Sequence, residues 1–342
     1  MSPTGSTTLL PPGHRIPVAH RDMKIFGGRS NPRLAQEIGV RLGVGLSPVT
    51  LRSFSGGEVY CRYEESIRGS DVFLVQSLSA NAESRIGTND ALAELLVMID
   101  AAKGASAHRV TAVVPWFGYS RQDKKSAARE PISARLMARI LEASGADRVL
   151  TMDLHAPQIQ GMFQIPVDHM TASLALSDHI LRQQLPDDLV VVAPDAGRGK
   201  HARAFATLVG AGFAILDKQR PAQQQAEIGY VIGDVAGKTA IVVDDIIDTA
   251  GTIRAAADAV LGAGANRVHV VATHGVFSGR AYENIAASGV EKFFVTDTIA
   301  APPGAPANVE IISCADVLAE SMVQIFTCGS VSAVFRGHNH VY

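Results

Sequence analysis

The segment from residue 240 to residue 261 constrains the fold of this chain most, because it encodes a strand, an acidic tip, a small-residue loop and a helix in that order. Ala240–Val243 is a short β-branched run, long enough for a buried strand and too short for a buried helix. Ile253–Leu261 is rich in alanine and predicts a helix that ends at Gly262. Between them lie two carboxylates and a tight turn of small residues, Asp244, Asp245 and Asp248-Thr249-Ala250-Gly251-Thr252. A strand that leads through a short loop into a helix is typical of a parallel α/β sheet.

This order of elements also predicts a sugar-phosphate site. A loop that feeds a helix N-terminus offers unpaired backbone N–H groups and the positive end of the helix dipole, both of which suit a phosphate. The hydroxyls of Thr249 and Thr252 add donors, and the carboxylates of Asp244 and Asp245 suit vicinal sugar hydroxyls or a divalent cation that bridges them. A solvated acidic turn is the alternative, but three aspartates and two threonines around a glycine exceed what a turn requires. A phosphorylated pentose is therefore the predicted ligand.

The same alternation of strand and helix runs through the rest of the chain. Short apolar runs that alternate with helical patterns of about 10–15 residues predict mainly parallel sheets with right-handed crossovers. At 342 residues the chain is long for one core, so we expect two similar α/β domains, each a mainly parallel sheet flanked by helices. The expected divisions are a disordered extension over 1–20, an N-terminal domain over 21–170, a C-terminal domain over 171–325, and a tail over 326–342 that packs back on the N-terminal domain.

Four local features are predicted in more detail. Asn31 is the expected N-cap of a helix that has Pro32 in its first turn. Asn89 is expected to cap the helix over residues 91–103. Asp217–Pro221 is predicted to be a loop long enough to move, and Lys292–Thr296 is predicted to be the closing strand.

Composition and charge argue against several classes of function. A formal net charge of −2 disfavours a nucleic-acid or anionic-membrane surface. No apolar run reaches the roughly 18–20 residues that a membrane span needs. Three widely spaced cysteines without a C-x-x-C motif indicate neither a disulfide framework nor a cysteine-rich metal site, and a cytoplasmic protein fits them best. Gly199-Lys200 is followed by His201 and lacks the earlier glycine of a Walker A motif, so a P-loop NTPase is not indicated.

The chemically active residues fall at the predicted strand ends. In open α/β sheets, ligands bind beyond the carboxyl ends of the strands. Six segments lie there: Phe54–Glu58, Arg121–Lys125, Asp153–His155, Asp195–Gly197, Lys218–Arg220 and Asp244–Thr252. This coincidence is the strongest argument for function that the residues offer by themselves.

The loop Arg121-Gln122-Asp123-Lys124-Lys125, with Arg129 nearby, supplies cationic forks and an amide. Such groups suit a polyphosphate and an adenine edge, and a solvated basic loop is the alternative. His155 and Asp195 are each ambiguous alone. Together they suit a Mg²⁺ ion shared with substrate phosphates, because magnesium tolerates sparse protein ligation.

Lys218 and Arg220 flank Gln219 in the segment predicted to be mobile. Two cations brought onto a transferring group would stabilise the charge that builds up in phosphoryl or pyrophosphoryl transfer. The alternative is a basic turn before Pro221.

From about Lys24 to Phe335, the chain resembles the ribose-phosphate pyrophosphokinase (phosphoribosyl pyrophosphate synthetase) family, which has the type I phosphoribosyltransferase fold. The resemblance rests on long and distinctive motifs: Phe54-Ser55-x-x-Glu58, Pro115–Asp123, Asp153–Gly161, Pro194-Asp195-Ala196-Gly197, Lys218-x-Arg220, Asp244–Thr252 and Ser330–Phe335.

The resemblance implies a role for each matching residue. Phe54 and Glu58 would contact adenine from a neighbouring subunit, while Lys218 and Arg220 would close on the migrating diphosphate as the catalytic cations. His155 and Asp195 would ligate Mg²⁺. The ATP-binding residues would be Arg121, Gln122 and Asp123, and the ribose 5-phosphate-binding residues would be Asp244, Asp245, Asp248, Thr249, Ala250, Gly251 and Thr252.

The implied reaction is attack of the ribose 1-hydroxyl on the β-phosphorus of ATP, which yields phosphoribosyl pyrophosphate and AMP. No covalent enzyme intermediate is implied, and catalysis would consist of positioning and charge stabilisation. The family builds its ATP site across a dimer and commonly forms hexamers, so a homo-oligomer is expected.

The chain departs from the family pattern at several positions. Gly56, Arg198 and His201 stand where an acid or amide, a glycine and an arginine are usual. Around the second, regulatory site, polar or charged positions are replaced by Ser126, Ala127, Ala128 and Pro157, whereas part of that site is retained in Arg129, Ser330, Ser332 and Phe335. We therefore expect weakened phosphate activation and weakened ADP inhibition.

Two other functions stay open at this stage. A catalytically silent regulatory homologue would be expected to lose Lys218, Arg220 or the metal pair, and this chain keeps them. A base-exchanging phosphoribosyltransferase would have a single domain with an aromatic-lined base pocket, which fits the duplicated layout poorly.

Overall fold

The apolar runs of the first half form a five-stranded sheet. The structure is a computed structural model, and it describes residues 21–185, 188–222 and 225–335. For 218–222 and 225–229 it describes the backbone alone, and the predicted extension over 1–20 lies outside the described residues. The elements of the first half are β1 (Met23–Gly27), α1 (Pro32–Leu42), β2 (Val49–Ser53), β3 (Val59–Tyr63), β4 (Asp71–Val75), α2 (Thr88–Gly104), β5 (Arg109–Val114), α3 (Ser133–Ala143), β6 (Arg148–Met152) and β7 (Val167–Met170).

This first sheet has the order β1-β4-β5-β6-β7, and every pair in it is parallel. All five residues of β4 are buried, as expected for a strand with apolar layers on both faces. A separate antiparallel pair is formed by β2 and β3.

The second half forms a seven-stranded sheet. Its elements are α4 (Ser173–Arg182), β8 (Leu189–Ala193), α5 (Gly199–Val209), β9 (Gly212–Ala222), β10 (Gln225–Ile232), β11 (Thr239–Ile247), α6 (Gly251–Gly262), β12 (Arg267–Gly275), α7 (Ala281–Ala286), β13 (Lys292–Thr296), β14 (Val309–Ile312) and α8 (Ala315–Phe326). The order is β10-β9-β8-β11-β12-β13-β14, and the β10–β9 pair alone is antiparallel. Two mainly parallel sheets with flanking helices confirm the predicted fold class.

The predicted helix caps had different outcomes. The side chain of Asn31 accepts a hydrogen bond from the backbone N–H of Leu34, so this cap is confirmed. The prediction for Asn89 is wrong, because α2 already begins at Thr88. Its N-cap is Gly87, whose backbone N–H donates to the carboxylate of Asp90 at 2.9 Å.

Two predictions about the second sheet are also wrong. Asp217–Pro221 is not a loop, because β9 continues through it and pairs with β10, with Lys218 opposite Ile228. Lys292–Thr296 is not the closing strand, because β14 adds beyond it in parallel and α8 follows. In both places, pairing with a neighbouring strand extends the sheet beyond the apolar run that local sequence reveals.

The two sheets share an apolar layer. One continuous buried cluster contains Leu34 and Ile38 of α1, Leu318 and Met322 of α8, and Val191 of β8. Because these side chains come from both halves, each sheet buries part of its apolar surface against the other half of the chain. None of the helices in the described part of the chain has the length and apolarity required to span a membrane.

Buried polar contacts join the sheet edges below the site. The Asp153 carboxylate accepts hydrogen bonds from the hydroxyl of Thr273, at 2.6 Å, and from the backbone N–H of Ala172, at 2.9 Å. His274 Nε2 lies 3.0 Å from the backbone oxygen of Asp153, and the imidazole of His274 packs on the Trp116 ring at a centroid distance of 4.6 Å. Strand β12 is thereby fixed against the end of β6.

We predict that Thr273→Val lowers the free energy of unfolding by about 1–3 kcal/mol, because it removes one donor from a buried carboxylate without changing side-chain shape. Urea denaturation measures the change. Thr207→Val is the matched control, since Thr207 is exposed on α5 and donates only within its own helix, to the backbone oxygen of Arg203. Equal denaturation midpoints for Thr273→Val and the unchanged protein would contradict the role given to this contact.

Candidate functional site

The carboxyl ends of β6, β8 and β11 meet around a cavity of about 210 Å³. Its wall includes side chains from both halves of the chain. It is lined by Arg121, His155, Asp195, Arg198, Asp244, Asp245, Ile246, Asp248, Thr249, Ala250, Thr252 and Ile253. The sequence-predicted sugar-phosphate loop, acid pair and proposed magnesium ligands therefore border one space.

Asp244 and Asp245 lie within a strand and not beyond its end. The sequence predicts a strand that stops at Val243, whereas β11 continues to Ile247 and pairs Asp244 with Ala272 of β12. Because neighbouring side chains of a strand point to opposite faces, the two carboxylates leave the backbone in different directions. Asp245 is almost fully buried and Asp244 is partly exposed.

The small-residue loop after β11 turns into α6 through a left-handed residue. Ala250 has φ 59° at the N-cap position, and no side chain caps this helix. Helix α6 begins at Gly251, two residues before the predicted start. Thr249 and Thr252 are exposed. The first-turn N–H groups have no partner within an α-helix, so this end of α6 is suited to an anion.

Electrostatics differ between the two adjacent aspartates. Burial and the neighbouring charge of Asp245 raise the pKa of Asp244 well above its usual value. Burial would also raise the pKa of Asp245, but its hydrogen bond with His155 and the Arg198 guanidinium outweigh burial and lower that pKa. His155 Nδ1 lies 2.8 Å from Asp245 Oδ2, and Arg198 Nη2 lies 2.7 Å from the same oxygen. Of the two, the negative charge of Asp245 is therefore the one that His155 and Arg198 stabilise.

Arg121, from the first half of the chain, contacts the second half at the cavity rim. Its guanidinium forms an ion pair with Asp248, and the hydroxyl of Ser278 donates to the same carboxylate. Burial would raise the pKa of Asp248, but the hydrogen bonds from Ser278 and Arg121 lower it. Sequence reasoning missed Ser278, although it follows the end of β12 between Gly275 and Gly279, a position that fits the strand-end rule.

The other predicted ATP-binding residues do not line this cavity. Gln122 accepts a hydrogen bond from the hydroxyl of Ser133, and Asp123 accepts one from the amide of Gln158 at 2.8 Å. Phe54 is 47% exposed at the tip of the β2–β3 pair, where its backbone N–H donates to the oxygen of Glu58. Their roles in nucleotide binding stay predictions.

The predicted catalytic cations lie on β9, and their side chains fall outside the described residues. The roles of Lys218 and Arg220 therefore stay predictions. Of the predicted regulatory residues, Arg129 is exposed with φ 70°, and Ser330 and Ser332 are exposed near a 3₁₀ turn over Val331–Phe335. The last residue of that turn packs against the apolar cluster shared by the two halves.

Three departures from the family pattern, His201, Arg198 and Gly56, have different surroundings in the structure. His201 is partly buried on α5, with Nε2 3.1 Å from the hydroxyl of Ser173, and this burial lowers its pKa. Arg198 reaches into the cavity and contacts His155 and both strand aspartates. Gly56 has open space where a Cβ would be.

The cavity suits a sparsely ligated cation. No group of three or more histidine, cysteine or acidic side chains able to hold a metal occurs among the described residues. His155 Nδ1 faces Asp245, which leaves Nε2 as the nitrogen for a metal, and the Asp195 carboxylate accepts a hydrogen bond from the Arg198 backbone N–H at 3.2 Å. One imidazole and one carboxylate fit Mg²⁺ if substrate and water oxygens complete its shell.

A larger cavity of about 610 Å³ adjoins the first and shares Arg121 with it. Its wall includes Tyr119, Ser79 and the apolar segment Ile299–Pro303. It lacks both the strand aspartates and the α6 N-terminus. The smaller cavity is therefore the candidate site.

Comparisons with known proteins agree with this geometry. Residues 23–145 match the N-terminal domain of ribose phosphate pyrophosphokinase, and residues 220–336 match the phosphoribosyl synthetase-associated domain. The chain is 46% identical over 317 residues to the ribose-phosphate pyrophosphokinase of Chlorobaculum tepidum, with 93% of this chain and 96% of the relative covered. It is 48% identical over 314 residues to that of Caldanaerobacter subterraneus subsp. tengcongensis, with 92% and 98% covered.

The crystal structure of phosphoribosylpyrophosphate synthetase from Mycobacterium smegmatis matches with a TM-score of 0.83 at 41% identity, covering 90% of this chain and 100% of the other. The fold and the cavity define an α/β protein with two phosphoribosyltransferase-like halves. The chain belongs to the ribose-phosphate pyrophosphokinase family. The resemblance expected from the sequence motifs is thus confirmed.

A buried histidine supports the end of β6 that leads to His155. The backbone N–H of Leu154 donates to His169 Nε2 at 2.8 Å, which requires an unprotonated Nε2. Burial lowers the pKa of His169 from 6.5 to about 4. The folded chain therefore binds fewer protons than the unfolded chain between these two pH values.

We predict that the free energy of unfolding falls as the pH drops from about 6.5 towards 4, because His169 gains a proton in the unfolded chain but stays neutral in the folded chain. For His169 alone the loss is on the order of 2 kcal/mol by pH 5. Urea denaturation at pH 7.5 and pH 5.0 measures it. His169→Gln should reduce the difference between the two values, and an undiminished difference in that variant would refute the assignment.

Proposed function

We propose that this chain transfers the β,γ-diphosphate of ATP to the 1-hydroxyl of ribose 5-phosphate, giving phosphoribosyl pyrophosphate and AMP, with Mg²⁺ as the cofactor. One observation carries this proposal: the acid pair, the α6 N-terminus and the His155–Asp195 pair border the same cavity. Membership of the ribose-phosphate pyrophosphokinase family supports it.

Ribose 5-phosphate would bind with its phosphate over the first turn of α6. The N–H groups of that turn, the helix dipole and the hydroxyls of Thr249 and Thr252 all favour an anion there. The ribose hydroxyls would face Asp244 and Asp245, whose carboxylates accept hydrogen bonds. Asp248, Ala250 and Gly251 would complete the loop.

The nucleotide would approach from the side of Arg121. Arg121 pairs with Asp248, so its guanidinium lies at the cavity rim, where it would also reach a phosphate of ATP. Gln122 and Asp123 would hold ATP further from the cavity, and Phe54 and Glu58 would meet adenine of a neighbouring subunit. An adenine site shared between neighbouring subunits requires a homo-oligomer built from dimers, and the family's hexamer is one such assembly.

Transfer requires compensation of the charge on the migrating diphosphate. His155 and Asp195 would hold Mg²⁺, which would supply charge neutralisation to the phosphate oxygens. Arg121 would orient the diphosphate, and Lys218 and Arg220 would stabilise the charge that develops on it. The chain's own contribution is orientation and charge, without a covalent intermediate.

The remaining parts of the proposal concern organisation and control. An N-terminal domain over 21–170 would hold ATP, and a C-terminal domain over 171–325 would hold ribose 5-phosphate. Arg129, Ser330, Ser332 and Phe335 would form a reduced regulatory site with weakened responses to phosphate and ADP. A cytoplasmic location is proposed because the three cysteines are free thiols.

An assay of AMP release with ATP, Mg²⁺ and ribose 5-phosphate tests the proposal. AMP and phosphoribosyl pyrophosphate should form in equal amounts. A silent regulatory homologue would form neither. A phosphoribosyltransferase would instead consume phosphoribosyl pyrophosphate when a nucleobase is added, without using ATP.

We predict that Thr252→Val raises KM for ribose 5-phosphate roughly ten- to a hundredfold, because a hydrogen bond to a charged phosphate contributes roughly 1.5–3 kcal/mol. The kcat and the thermal midpoint should change little, since Thr252 is exposed. Steady-state kinetics measure the effect. Thr207→Val, on an exposed face of α5, is the matched control, and an unchanged KM in Thr252→Val would remove this hydroxyl from the phosphate site.

A further inference from the structure

Arg29 joins a buried carboxylate to the antiparallel β2–β3 hairpin. Its Nε donates to the carboxylate of Glu94, and its backbone N–H donates to Glu94 Oε1 at 2.7 Å. Its Nη2 donates to the hydroxyl of Ser53 at 3.1 Å. Ser53 ends β2 and directly precedes Phe54 at the tip of the hairpin. One guanidinium therefore connects the interior of the first half with the hairpin tip.

The Glu94 end of this connection is fixed. Glu94 is fully buried on α2, and the side-chain amide of Gln76 donates to its Oε1 at 2.9 Å. Gln76 in turn accepts hydrogen bonds from the backbone N–H and the hydroxyl of Ser30. A buried charge without its partner is unfavourable, so Arg29 and Glu94 stay together in the folded chain. The guanidinium is thus a fixed point against which the hairpin can be positioned.

The two faces of the hairpin have different surroundings. Side chains alternate along a strand, so Leu51 and Ser53 share one face of β2, and Arg52 lies on the other. Leu51 packs against the buried cluster of the first half. On the outer face, the Arg52 guanidinium lies 5.3 Å from the centroid of the Phe54 ring and 4.7 Å from that of the Tyr60 ring. The inner face attaches the hairpin, and the outer face presents Phe54.

The tip of the hairpin has few attachments of its own. At the opposite end, the hydroxyl of Tyr63 donates to the backbone oxygen of Met98 at 2.6 Å. The turn after Phe54 is closed by its own backbone, because Phe54 and Glu58 share a hydrogen bond of 2.8 Å. Within the part of the chain that the structure describes, the bond from Arg29 is the side-chain hydrogen bond that joins this tip to the rest of the first half.

We propose that Arg29 is a positioning residue that sets the orientation of the β2–β3 hairpin through Ser53, and thereby places Phe54 and Glu58 against the adenine of a neighbouring subunit's ATP. This inference rests on the proposed function, in which those two residues meet adenine. Arg29 acts through the hairpin, and it does not line the cavity at the ends of β6, β8 and β11. Loss of the contact should therefore weaken ATP binding and leave the transfer step unchanged.

Ser53→Ala tests the inference, because it removes the acceptor and leaves the Arg29–Glu94 pair intact. KM for ATP should rise roughly three- to tenfold, the size expected for the loss of one hydrogen bond. The kcat and KM for ribose 5-phosphate should stay within about twofold, since the lost interaction concerns nucleotide binding alone. Ser53→Thr keeps a hydroxyl at this strand position and should restore the KM for ATP of the unchanged protein.

Arg29→Lys tests the other end of the contact. It keeps a positive charge beside Glu94 but loses the planar fork that reaches both partners. Its KM for ATP should rise as in Ser53→Ala, and the double variant should be little worse than either single variant, because both changes remove the same interaction. If the lysine variant does not fold, the comparison of Ser53→Ala with Ser53→Thr still decides the question.

Ser106→Ala is the matched control. The hydroxyl of Ser106 also accepts a hydrogen bond from an exposed arginine, from Nη1 of Arg68 at 3.2 Å. Ser106 precedes β5, at the opposite end of the sheet from the candidate site, so both KM values should stay unchanged. An unchanged KM for ATP in Ser53→Ala would overturn the inference. Equal increases in KM for both substrates would overturn it too, because they would indicate general loosening.

Amide hydrogen exchange of the ligand-free protein gives a readout that does not depend on activity. Peptides that cover Val49–Glu58 should exchange faster in Ser53→Ala than in Ser53→Thr or the unchanged protein. Calorimetric titration with α,β-methylene ATP, whose bridge between the α- and β-phosphorus atoms resists this transfer, should show affinity weakened by the same factor as KM. Faster exchange with unchanged affinity would reduce the contact to a structural one and overturn the inference. Absence of AMP release by the unchanged protein would refute the proposed function, whereas the exchange comparison would still show whether Arg29 holds the hairpin.

Discussion

The contact between His155 and Asp245 is the interaction on which the rest of the site depends. The two residues are 90 positions apart in sequence, and their side chains meet at 2.8 Å because β6 and β11 end at the same place. Below them, Asp153 is held by Thr273 and Ala172, so the strand ends cannot separate without exposing a buried carboxylate. The cavity is therefore a consequence of how the two sheets are joined.

The charges in the cavity follow from this junction. Two adjacent carboxylates on a buried strand would repel each other strongly if both were charged. His155 and Arg198 stabilise the charge of Asp245 and lower its pKa, whereas the pKa of Asp244 is raised. The α6 N-terminus faces the same space with positive partial charge. A ligand with a phosphate at one end and hydroxyls at the other suits that separation of charge.

Much of the fold could be predicted from local pattern, because buried strands are short apolar runs and the Asn31 cap has a local signature. The continuation of β11 beyond Val243 could not be predicted from local pattern, since Asp244 and Asp245 join this strand only through its pairing with β12. The extension of β9 through Asp217–Pro221 likewise depends on β10. Strand pairing depends on residues that are distant in sequence, so polar residues within a strand are not recognised as strand from their local sequence.

The candidate site was predictable to a similar degree. The strand-end rule brought His155, Asp195 and the Asp244–Thr252 segment to one cavity, and all of them line it except Ile247 and Gly251. The position of Arg198 was visible as a departure from the family pattern, but its contacts were not. They join Arg198 to His155, 43 positions away in the sequence, and to the two strand aspartates, which lie 46 and 47 positions away.

Amide hydrogen exchange with and without ribose 5-phosphate tests most directly whether the sugar phosphate binds in this cavity. If it does, exchange should slow in peptides that cover Thr249–Thr252 and stay unchanged in peptides that cover Ser79–Thr88, beside the larger cavity. Unchanged exchange over Thr249–Thr252, with protection elsewhere at saturating ligand, would contradict it.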